Sequence, residues 1–196
     1  MKHTPSPLKT LVTLTLLGTG SLALAHVGAD QGDHHGLLAG FLHPVTGLDH
    51  LAAMVAVGLW SATTTRRFWL APLAFALTLL VGALLAQGGL SLPAIEPMIA
   101  ASMLVVGLLL AARARLPEAL GAALVGGFAL FHGAAHGQEL AGMTALAGMV
   151  AGTAALHLAG MGLGRLLLRH SVWWGRVAGA AVTLMGLNMA WGLVAG

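Results

Sequence analysis

Six residues of the chain combine side-chain type and spacing in a way that suits metal chemistry. His43, Asp49 and His50 stand in the apolar run "GFLHPVTGLDHLAAMVAVGLW", and His132, His136 and Glu139 stand in "FHGAAHGQE". On a helix, His132, His136 and Glu139 fall at i, i+4 and i+7, a stripe about 60° wide. An i, i+4 histidine pair presents two imidazoles to one ion, and the carboxylate one turn on extends the stripe. His43 and His50 are seven residues apart, which returns them to nearly one helix face about two turns apart. On an ideal helix Asp49 points roughly 100° away from His50. Pro44, however, cannot donate to the Gly40 carbonyl, and Gly47 is permissive, so this turn is expected to be kinked or unwound. Such a distortion aims Asp49 inward and leaves the Gly40 carbonyl as an oxygen ligand or supporting acceptor.

What makes these residues conspicuous is their setting. The chain has 196 residues, 58% hydrophobic and only 8% charged, with a mean hydropathy of +0.89, outside the range of water-soluble domains. The expected fold class is an all-α integral membrane protein. Ionisable groups within a membrane span are costly, and they normally face a bundle interior, a cavity or one another. The bland alternative is a pair of core histidines bonded to backbone carbonyls, which suits one lone histidine better than this whole set. No cysteine is present, so zinc ribbons, iron-sulfur clusters and thiolate sites are excluded and any metal must use nitrogen and oxygen. The nine methionines read as gap-filling core residues.

The elements that position the six residues are expected to be about six transmembrane helices, at residues 36–62, 68–87, 97–112, 117–138, 142–164 and 175–195. They follow a signal peptide at residues 1–25, with Lys2 and Lys9, the apolar run Leu11 to Leu24, and a cleavage site at Ala23-Leu24-Ala25. Residues 26–196 then form a single transmembrane domain with a His/Asp-rich external tail. With residue 26 outside, all seven arginines fall in cytoplasmic loops, as the positive-inside rule requires. Trp60, Trp69, Trp173, Trp174 and Trp191 read as interfacial anchors. Glycine spacings such as Gly148 to Gly152 and Gly160 to Gly164 read as close-packing signals. The basic balance, with a pI near 10.7, draws on leader lysines and gives no reason to expect nucleic acid.

Counting at about 1.5 Å per residue puts His43, His132 and His136 in the outer half of the membrane, with Asp49 and His50 nearer the midplane. His157, nearer the cytoplasm, reads equally as an exit-side ligand and as a satisfied core histidine; His170, among arginines in a loop, reads as surface. The tail "HVGADQGDHHG" adds His26, His34 and His35 as accessory ligands in an ion-collecting vestibule. The serines, Ser61, Ser91, Ser102 and Ser171 among them, lie outside both motifs.

The motifs resemble those of the HupE/UreJ family of nickel permeases. The likeness rests on His43-Pro44 followed by Gly47, Asp49 and His50, and on Phe131-His132-Gly133, His136-Gly137 and Glu139, and it extends over essentially the whole chain. It implies a cytoplasmic-membrane protein that imports Ni²⁺ for hydrogenase or urease, with His43, Asp49, His50, His132, His136 and Glu139 as metal residues. The residues themselves specify only a divalent, imidazole-loving ion, so Co²⁺ and Zn²⁺ stay open. No prosthetic group is expected. The expected partners are the ion, the bilayer and, indirectly, nickel-enzyme maturation proteins; a homo-oligomer is compatible with the sequence. An enzyme is not expected, and the rivals are an intramembrane metal-dependent hydrolase and a metal sensor or accessory protein that binds without transport. No nucleotide-binding motif is seen, so a facilitator driven by the ion gradient or membrane potential is the simplest mechanism.

Overall fold

The computed structural model describes residues 36–195, which form seven helices and no strand. They are α1 (Leu37–Thr46), α2 (Leu48–Thr64), α3 (Leu70–Gln87), α4 (Ile95–Ala112), α5 (Glu118–Glu139), α6 (Met143–His170) and α7 (Val172–Ala195). The expected signal peptide, and His26, His34 and His35, lie outside the described residues. Helices α3 to α7 are each long and apolar enough to cross a membrane, and the count is six if α1 and α2 form one bent span. Their outward surfaces are apolar too: Leu184, Leu187, Trp191 and Val194 of α7 are all exposed. Such surfaces suit lipid, and the chain is a multi-pass membrane protein.

The first expected span is broken. α1 and α2 meet at 87°, and the break falls at Gly47 rather than at Pro44, which stays inside α1. Proline removes one backbone hydrogen bond from the last turns of α1, and the Thr46 hydroxyl donates to the His43 carbonyl at 2.7 Å. Gly47 itself has φ −90° and ψ 116°, extended backbone open to most residues, so the bend comes from the ending of α1 and not from glycine's freedom. At the other end of α1, Gly36 sits at φ 99°, a region in which a side chain would be strained.

Close approach of backbones sets which helices pair. A Cβ on Gly133 or Gly137 of α5 would collide with the carbonyls of Leu79 and Ala83 on α3, and one on Gly82 with the carbonyl of Leu130. Only glycine lets these two helices lie so near. The same device joins α6 to the bent pair. Gly148 and Gly152 face the backbone of Leu37 and Phe41 on α1, and Gly160 that of Val55 on α2. Gly107 of α4 and Gly179 of α7 seal the remaining pair. Around these seams, Met54, Val57, Phe75, Leu79, Met103, Leu110, Leu146 and Met149 fill the core.

The arginine-bearing ends come together at one end of the bundle. Glu118, at the start of α5, accepts from the Arg67 backbone N–H at 3.0 Å and lies 3.5 Å from its Nε; the Arg165 guanidinium lies 4.1 Å over the Phe68 ring. Two expectations change here. Trp60 is fully buried rather than an interfacial anchor, its indole N–H donating to the Ala114 carbonyl at 2.9 Å as a buried indole requires; Trp69, Trp173, Trp174 and Trp191 are exposed. Helix α6 also continues through Arg165 and Arg169 to His170, leaving Ser171 alone as the link to α7 where a loop was expected. At the opposite end, the Gln87 amide ties α3 to the α5–α6 turn by donating to the Leu140 carbonyl at 2.8 Å.

Candidate metal centre

The end of α1, the start of α2 and the last two turns of α5 converge. On α5 the i, i+4 spacing stacks His132 below His136, with Glu139 at the helix end. Glu139 Oε2 lies 2.8 Å from His43 Nε2 and 3.7 Å from His136 Nδ1. The side chain of Glu139 is 49% exposed and that of His43 11%, so this trio opens at the surface. His43, His136 and Glu139 each offer a ligand atom, and the three atoms lie within 4.8 Å of one another. Metal–nitrogen bonds of about 2.0–2.1 Å keep two donors of one ion no more than about 4 Å apart, and roughly 3.4 Å at the tetrahedral angle, so the three atoms must close in by an ångström or so to share one ion.

Inward from this mouth the rings continue without a gap. The His43 and His136 centroids are 4.7 Å apart, His136 and His50 4.2 Å, and His50 and His132 5.0 Å. Asp49 Oδ1 lies 3.1 Å from His50 Nδ1. The bend between α1 and α2 makes this possible, because it lets His43 and His50 approach His136 from two helices instead of from one straight face. Asp49 is buried, as expected from a distorted turn, but its near neighbour is the adjacent histidine. The Gly40 carbonyl expected as an oxygen ligand belongs to a residue packed against the Ala145 backbone of α6.

Beyond His132 the Phe75 ring stands 5.5 Å from the His132 centroid and 5.1 Å from that of His157. His157 is fully buried, and neither of its nitrogens has a hydrogen-bond partner among the described residues. Of the two readings the sequence left open, a core histidine bonded to backbone carbonyls finds no such carbonyl among the described residues. His132 Nδ1, both nitrogens of His136 and Thr153 Oγ1 also lack hydrogen bonds there. Leaving a buried polar atom unpaired costs about 1–3 kcal/mol, so a row of them needs a physical reason; a metal ion facing the lone pair of an imidazole would supply one for a single nitrogen of each ring, and the other nitrogen carries the proton.

The helix ends add to the electrostatics. His136 and Glu139 lie in the last turn of α5, where unpaired carbonyls carry partial negative charge and favour a cation. The start of α2 has the opposite polarity, and Asp49 in its first turn offsets it.

Most of the sequence-expected residues meet here. His43, His136 and Glu139 form the mouth, and His132 lies inward of them beside His50. One residue was missed. Ser102 of α4 is buried, and its Oγ lies 2.8 Å from His132 Nε2. A hydroxyl inside the apolar run "ASMLVVGLLL" was the available signal.

A family model described as HupE / UreJ protein matches residues 14–189. The chain is also similar to the Protein HupE of Rhizobium leguminosarum bv. viciae, with 42% identity over 184 residues, which covers 91% of this chain and 95% of that protein. No solved structure matches.

Proposed function

Because the chain belongs to the HupE/UreJ family, we propose that it carries a divalent transition-metal ion, Ni²⁺ first among them, across the cytoplasmic membrane. One observation carries this reading: the unbroken row His43, His136, His50, His132, which starts at a half-exposed carboxylate and ends in the buried core. A closed cage around a single ion would hold its cargo. A row in which each ring neighbours the next offers an ion replacement ligands as it gives up old ones, which keeps binding favourable but escapable.

Glu139 meets the hydrated ion first and contributes negative charge, with His43 and His136 as the first nitrogen donors. His136 is common to both halves of the row, so the ion exchanges His43 for His50 without leaving it. Asp49 holds His50 in place and balances charge beneath it. His157 lies past Phe75 and takes the ion at the far side. In this reading the mature N-terminus is external, with His26, His34 and His35 collecting metal, and the arginine-bearing end faces the cytoplasm. The ion gradient and the membrane potential supply the drive, and the delivered nickel serves maturation of a nickel enzyme such as hydrogenase or urease.

The test is uptake of Ni²⁺ by the purified full-length protein in sealed proteoliposomes with an inside-negative potential. Saturable accumulation that His136→Ala abolishes supports transport. Tight binding in detergent without accumulation would instead assign a sensor or accessory role, and metal-dependent hydrolysis of a lipid amide would assign an enzyme.

A further inference from the structure

We propose that Ser102 is a positioning residue that fixes the tautomer of His132, so that Nδ1 is the atom His132 presents to the ion; this rests on the reading of the histidine row as a metal path. Ser102 Oγ lies 2.7 Å from the Ile99 carbonyl oxygen and 2.8 Å from His132 Nε2. A hydroxyl has one proton and the Ile99 carbonyl can only accept. Were the proton given to His132, two oxygen lone pairs would face each other at 2.7 Å. The arrangement that satisfies both contacts is therefore Nε2–H donating to Oγ, and Oγ–H donating to Ile99.

The neutral imidazole then has no proton on Nδ1. That nitrogen is buried and has no hydrogen-bond partner among the described residues, and the neighbouring ring is that of His50. Metal-binding histidines commonly donate their other N–H to a fixed acceptor, which selects the tautomer and holds the ring. Ser102 supplies that acceptor from α4, a helix that carries none of the motif residues. The same geometry removes Ser102 as a nucleophile, since its proton is given to a carbonyl and His132 is its donor and not its base.

The experiment uses the full-length protein labelled with ¹⁵N-histidine, with the His132 signals identified by their loss in His132→Asn. In the wild type, His132 is expected to carry its proton on Nε2. In Ser102→Ala that single tautomer should give way to a mixture, and Ni²⁺ affinity by calorimetry should fall about 10–100-fold. Ser102→Thr, which keeps the hydroxyl, should restore both. Against a His132→Ala background, Ser102→Ala should cost nothing more, because its effect passes through that ring.

A wild-type His132 protonated on Nδ1 would overturn the proposal. So would an unchanged affinity in Ser102→Ala, or an equal loss in the His132→Ala background, which would mark a packing defect. A wild type that binds no Ni²⁺, Co²⁺ or Zn²⁺ overturns the metal path itself, whereas a binding wild type matched by Ser102→Ala overturns only the role of Ser102.

Discussion

The mouth and the floor of the histidine row are built from the same ligand types and differ in what surrounds them. At the mouth, His43 and Glu139 hold each other at 2.8 Å, and half of the Glu139 side chain meets solvent. At the floor, His132 and His157 are buried, and among the described residues His132 has a serine beside it and His157 no hydrogen-bond partner. Under the proposed function, the difference teaches how such a path would take up a hydrated ion. Near the surface a carboxylate can balance charge while water still contributes ligands. Deeper in, the side chains are buried, and lone pairs already held in place are the groups able to stand in for water as ligands. Nitrogens at the floor that lack a partner among the described residues weaken the protein, and under the proposed reading a bound ion would recover that cost.

His136 links the mouth to the rest of the row, with His43 on one side and His50 on the other, so its loss should break the comparison most completely. His136→Ala is expected to lower Ni²⁺ affinity by more than about 100-fold, beyond the effect of losing an outer partner, and to bring proteoliposome uptake to background. A loss near tenfold would mean that mouth and floor bind separately.

Asp49→Asn keeps the shape beside His50 and removes the charge. Uptake should fall to background with membrane insertion intact, and affinity by about 10–100-fold, as read by calorimetry beside a transport assay. Unchanged uptake at normal expression would remove Asp49 from the mechanism.

Pairwise coupling sharpens the boundary between the regions. In double-mutant cycles on Ni²⁺ affinity, His43→Ala and His136→Ala should be strongly non-additive, because the proposed mouth site has them share one ion. His43→Ala and His132→Ala, whose rings stand at opposite ends of the row, should come closer to additivity. Equal coupling in both cycles would make the row a single site.

Glu139→Gln should have a smaller effect, because the carboxylate is half exposed and screened. About a tenfold weakening is expected at low salt, shrinking as ionic strength rises. The smallest effect belongs to the tail. Deleting residues 27–35 should slow uptake only at limiting Ni²⁺, and an equal proportional loss at saturation would give the tail a structural role.

Much of this architecture was legible in the chain. Helices α3 to α7 stand close to where continuous hydropathy placed them, because a span must satisfy its backbone hydrogen bonds within itself and so announces itself locally. The stripe of His132, His136 and Glu139 was legible for the same reason, since helical spacing decides by itself which residues share a face. The glycines of α6 were recognisable as packing residues, although their partners on α1 and α2 were not.

What the tertiary structure alone decided are the relations between helices. Pro44 signalled distortion, but the 87° bend at Gly47 depends on α1 and α2 both lying against α6, and no local rule sets that angle. Trp60 carries the residue type of an interfacial anchor, and it became a buried latch because Gly121 makes room for its ring and the Ala114 carbonyl receives its N–H. Ser102 lies thirty residues from His132, with nothing in the spacing to join them. Hydropathy and periodicity describe one helix in its solvent, whereas ligand depth, ring tautomer and the order of the row depend on which faces meet, and backbone contact at a few glycines determines that.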